Sequence, residues 1–89
     1  NQNFDTPDAE YERQEIEKVV HDSIADLPED LKRAIILREM DGLSYEEIAK
    51  EMDCPIGTVR SRIFRARDAV DSALKPLLQR EYKRVNYVR

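Results

Sequence analysis

Four arginines fall within residues 60–67, as Arg60, Arg62, Arg65 and Arg67, with Ser61 and Phe64 set between them. A guanidinium holds its charge at any ordinary pH and presents a rigid fork of N–H donors that matches phosphate oxygens or the major-groove edge of guanine. A phenylalanine among such cations suits apolar contact with a thymine methyl group, and serine is short enough to let a base edge come close. The chemistry on offer is non-covalent recognition of a polyanion.

Covalent and metal chemistry have no comparable support. His21 is the only histidine, and a lone titratable group without an orienting partner is not a catalytic site, so it reads as a surface helix residue. Cys54 is the only cysteine; it cannot close an internal disulfide, has no metal-ligand partners at recognisable spacing, and is expected to be a small core thiol in a reducing cytosol. With no nucleophile beside a base, no metal cluster and no phosphate-cradling loop, neither an enzyme nor a cofactor is expected.

Net charge is −4 over 89 residues, which would argue against a nucleic-acid partner if it were evenly spread. It is not. Residues 1–54 carry six Lys/Arg against sixteen Asp/Glu, net −10, whereas residues 55–89 carry nine against three, net +6. Such polarity places one end of the molecule against a polyanion and turns the other away from it, or toward a basic partner.

The elements that must position the arginines are helical. Two glycines, no tryptophan and no sustained alternation of apolar with polar residues predict a small all-α domain with one modest core. The chain opens Asn-Gln-Asn without a methionine and reads as a piece of a longer protein, with 1–6 as a linker remnant; no run is apolar enough to span a bilayer. Thr6-Pro7-Asp8 supplies a cap, a first-turn proline and an acid at the positive end of the helix dipole, so a first helix is expected over 7–26, burying Ile16, Val19, Val20, Ile24 and Leu27. Pro28 is expected to open a second helix over 28–41 that buries Leu31, Ala34, Ile35, Leu37 and Met40 and stops at Gly42. Ser44 and Glu47 form a capping box for a short third helix over 45–52, with Ile48, Ala49 and Met52 inward. After a turn at Asp53-Cys54-Pro55, a fourth helix begins near 55 or 56, runs to about 75, and can continue past Pro76.

Placed at about 100° per residue, this fourth helix separates into two faces. Val59, Ile63, Ala66, Val70, Ala73 and Leu77 form the core seam. Arg60, Ser61, Phe64 and Arg65, with Gly57 before them, project away from it, and Arg62 and Arg67 lie at the seam's edges, where long stems cover apolar surface while the heads reach for phosphates. Thr58 and the first amides of the helix suit a phosphate. Phe64 has a plainer alternative, packing on a neighbouring part of a larger protein.

Two helices crossing at a short turn, the second basic on its outer face near its N-terminus, is the helix-turn-helix geometry, of winged-helix-like type. The run LPEDLKRAIILREMDGLSYEEIAKEMDCPIGTVRSRIFRAR goes further: its GLSYEEIA and CPIGTVRSRIFRAR portions closely resemble region 4 of bacterial extracytoplasmic-function sigma factors of the sigma-E type, over about 27–78. The resemblance implies a four-helix DNA-binding domain over 7–78, with a basic extension at 79–89. Its recognition helix, 56–75, would enter the major groove of a promoter −35 element. By the same resemblance Arg60, Ser61, Phe64 and Arg65 approach bases, while Arg38, Tyr45, Pro55, Gly57, Thr58 and Arg62 make phosphate or supporting contacts. It also implies a cytoplasmic monomer in a stress response whose partners are promoter DNA, the RNA polymerase core and an anti-sigma factor, with a groove lined by the first three helices taking the polymerase β flap. A dimeric helix-turn-helix regulator is the competing reading, but no helix shows the second apolar stripe a dimer seam would need. A protein-interaction module with an incidental DNA face is the third.

Overall fold

In the computed structural model the backbone is described for residues 7–88 and the side chains for 9–80, so the linker at 1–6, the cap expected at Thr6 and the side chains of the basic extension beyond Arg80 lie outside the described residues. Four helices follow one another: α1 (Pro7–Ala25), α2 (Glu29–Glu39), α3 (Tyr45–Met52) and α4 (Ile56–Val88). There is no strand among the described residues.

Each boundary has a local cause. Pro28 stands one position outside α2, as its N-cap at φ −53° and ψ 150°, and does not open the helix as expected. Its carbonyl accepts the first helical bond, from Lys32 N at 2.9 Å, and Glu29 and Asp30 occupy the first turn. α2 also closes earlier than 41. Met40 N and Asp41 N both turn to the Ile36 carbonyl, at 2.9 and 3.2 Å, and Gly42, at φ 70°, lets Leu43 N reach back to the Leu37 carbonyl at 3.1 Å.

α3 begins on the expected capping box. Glu47 N donates to Ser44 Oγ at 3.1 Å and Ser44 N donates to Glu47 Oε1 at 2.8 Å. The Ser44 backbone N–H, and after it the Ser44 hydroxyl, hold the Glu47 carboxyl below its ordinary pKa. Asp53, at φ 53°, ends the helix in the left-handed region, where a short polar side chain is better tolerated than most. Cys54 N then donates to the Ala49 carbonyl at 3.0 Å, which turns the chain into α4.

The core gathers Leu27, Ala34, Ile35, Ile48, Val59, Ile63 and Ala66. The fully buried alanines at 34 and 66 leave the space between helices that Ile48, Val59 and Ile63 fill. Each of those three larger side chains contributes about 2 kcal/mol by leaving water. Leu43, Met52 and Cys54 pack against this cluster from its edge, so the thiol is half-buried at the core margin.

Two members of the expected apolar stripes are not covered. Met40 is 72% exposed, because it sits where α2 has already ended, at the open side of a groove between α1 and α2. Ala73 is exposed and Leu74 half-buried in its place. The two flank the stripe on opposite sides, and only the leucine is long enough to reach a neighbour. α4 does run on through Pro76, whose missing N–H leaves the Ser72 carbonyl without its helical partner; both residues are exposed, so water can serve it. Beyond that point Arg80 Nη2 donates to Glu15 Oε1 of α1 at 2.8 Å. Among the described residues no helix is long and apolar enough to cross a membrane.

Candidate nucleic-acid interface

The buried row Val59, Ile63 and Ala66 fixes the rotation of α4 about its axis, and what lies opposite follows from that. Arg60, Ser61, Phe64 and Arg65 are all exposed, with Phe64 71% accessible, and Gly57 and Pro55 are exposed just ahead of them. No acidic residue stands in the first turn of α4, so the positive end of its dipole is left uncompensated.

The four arginines divide into two kinds. Among the described residues, Arg60 and Arg65 have no side-chain hydrogen bond or ion pair. Arg62, only 24% exposed, lies across the domain: its Nη1 donates to Cys54 Sγ at 3.6 Å and its Nε stands 3.6 Å from Asp30 Oδ2. Arg67 is held by the Glu39 carboxylate at the end of α2, to which its Nε and Nη2 both donate. That hydrogen bond is the main reason its pKa rises above the usual arginine value.

Arg38 and Tyr45, expected as phosphate or supporting contacts, come together. The Arg38 guanidinium lies 5.0 Å from the centre of the Tyr45 ring, and its Nη1 donates to the Leu43 carbonyl at 2.8 Å. One bond leaves most of its five N–H donors unused. With Ser44, Glu46, Ile56 and Arg60 the pair lines a shallow depression between the N-termini of α3 and α4. Thr58 is half-buried at the same end of α4.

Gly57 is instructive because the domain does not need it. A methyl group there would meet nothing within 4 Å, and its φ is not in the left-handed region. Glycine inside a helix costs about 0.5–1 kcal/mol relative to alanine, so its presence on an exposed turn suits a partner that comes close to the backbone.

His21 is exposed beside Asp22, its Nδ1 3.5 Å from Asp22 Oδ1, and takes no part in this face. The apolar groove expected from three helices is lined by two: Ile16, Val20 and Ile24 of α1 face Ile36 of α2 and Met40 across about 500 Å³. The Glu39–Arg67 pair was not foreseeable from spacing, since its members stand 28 residues apart and no local pattern links them.

A family model described as sigma-70, region 4 matches residues 17–70. Among curated proteins the chain is 60% identical over 74 residues to the ECF RNA polymerase sigma-E factor of Haemophilus influenzae, covering 83% of this chain and 39% of that protein. It is 59% identical over 76 residues to the RNA polymerase sigma-H factor of Pseudomonas aeruginosa, covering 85% and 39%. Against the ECF RNA polymerase sigma-E factor of Escherichia coli identity is 63% over 67 residues, covering 75% and 35%. The matched part thus spans 35–39% of the length of these relatives.

Proposed function

This chain belongs to the sigma-70 region 4 family, and from that membership we propose that it is the promoter −35 recognition domain of an extracytoplasmic-function sigma factor, acting in the cytoplasm with RNA polymerase and without catalysis of its own. The observation that carries the reading is the outer face of α4, where Arg60, Ser61, Phe64 and Arg65 are exposed together and both arginines have unspent donors. The N-terminal half of α4 enters the major groove; Arg60 or Arg65 donates to guanine, Phe64 meets a thymine methyl and Ser61 approaches a base edge. Thr58, Pro55 and the close-approach surface at Gly57 face the backbone. Arg38 and Arg62, anchored within the domain, turn their remaining N–H groups to phosphates, with Tyr45 holding Arg38 in place.

The same reading gives the apolar groove between α1 and α2 to the polymerase β flap, and lets an anti-sigma factor compete for the domain. The relatives' names, which specify RNA polymerase and sigma-E or sigma-H, support an association with RNA polymerase. Enrichment of bound duplexes from a randomised pool at stated salt should yield one short, non-palindromic site occupied by a monomer. Arg65→Ala should cost about 1–3 kcal/mol there and relax selection at one base pair. Unchanged affinity and unchanged base preference in that variant would remove α4's outer face as the reading surface.

A further inference from the structure

We infer that Glu39 determines where the phosphate-binding strip of α4 ends, by holding Arg67 off the DNA; this rests on the duplex-binding reading above. Arg67 follows Arg60 by seven residues, which places it on the same row of the helix about 10 Å farther along the axis, with Phe64 between them. A duplex lying on Arg60 and Phe64 would meet Arg67 next. Instead its Nε and one Nη2 N–H donate to Glu39 Oε2, so a hydrogen-bonded carboxylate offsets the guanidinium's charge and turns it toward α2, whereas Asp30 stands 3.6 Å from Arg62 without such a bond.

Folding stability does not account for this pair. Its side chains are 48% and 51% exposed, and at such exposure screening by water leaves an ion pair little to add to stability. Its effect on a polyanion is larger. One additional cation neutralising a phosphate steepens the fall of log affinity with log salt by about 0.9 and tightens binding about tenfold near 0.1 M salt. That gain carries no base information, so it would lengthen residence on every duplex, wanted or not. Glu39 is in this sense a positioning residue that keeps α4's non-specific affinity down.

The test is a salt titration of duplex binding with the 89-residue chain, followed by fluorescence anisotropy on the selected site and on a scrambled duplex, from about 0.05 to 0.2 M salt. Glu39→Gln should tighten both duplexes about tenfold near 0.1 M and steepen both slopes by about 0.9. Arg67→Gln should keep the unsubstituted slope, and Glu39→Gln with Arg67→Gln should return to it. Thermal melts run beside the titrations should show all three folded, since neither residue is in the core. An unchanged slope for Glu39→Gln overturns the inference. So does a gain that survives in the double variant, which would be lost repulsion alone, or a flatter slope for Arg67→Gln, which would mean Arg67 already binds phosphate. Failure of the unsubstituted chain to bind either duplex at low salt would instead overturn the duplex-binding reading itself.

Discussion

The two faces of α4 alternate almost residue by residue and obey opposite rules. Val59, Ile63 and Ala66 are at 0–1% exposure, and each is there for its volume. Arg60, Phe64 and Arg65, their immediate neighbours in the chain, are exposed and touch little that the domain requires. The inner face is explained by the fold and the outer face is not, so the outer face needs a partner to explain it. Arg62 and Arg67 show that charge alone does not assign a residue to one class: they are the same residue type on the same helix, yet carboxylates of α2's first turn and last residue engage them.

Substitution should separate the faces cleanly. Ile63→Ala, on the inner face, should lower unfolding free energy by about 2–5 kcal/mol in urea denaturation, with DNA binding lost only through unfolding. A smaller cost would mean that the inner face can collapse around a cavity and is less exacting than its burial suggests. Next in size are the paired variants Arg62→Ala and Arg60→Ala. The first should reduce stability by up to about 1 kcal/mol and weaken all duplexes alike, whereas the second should leave stability within about 0.5 kcal/mol and act on binding only. Equal melting losses from the two would erase the distinction between anchored and free arginines. The smallest change, Gly57→Ala, should have opposite signs in two assays: a gain of about 0.5–1 kcal/mol in stability and a loss of duplex affinity. Unaltered affinity would show that nothing approaches that turn closely.

Much of this was legible in the chain because its signals are local. The capping box at Ser44 and Glu47, the turn at Asp53 and the three-and-four spacing of Val59, Ile63, Ala66 and Val70 each work within one or two helical turns. What escaped needs knowledge of neighbours. Met40 has the right period for the core but lies past the point where α2 stops, and periodicity does not mark that edge. Ala73 and Leu74 stand on either flank of the seam, so only the position and reach of the neighbouring helix decides between them. Arg67's partner lies on another helix, and Pro28's place outside α2 depends on a ψ that proline's ring does not set. The candidate interface was readable as a face of a helix; which of its cations were already engaged was not.

The continuity of α4 through Pro76 has a mechanical side. A helix of 33 residues is a stiff beam about 50 Å long, gripped by the core near one end and touched by α1 near the other, at Arg80 and Glu15. Pivoting it by about 10° at Ile63 would carry Arg80 sideways by about 4 Å, given a rise of about 1.5 Å per residue. That is enough to part the Arg80–Glu15 contact at 2.8 Å. The beam therefore works as a lever: the way its first turns seat in a groove is felt at the Arg80–Glu15 contact, with Pro76, where one helical hydrogen bond is missing, as the joint between them.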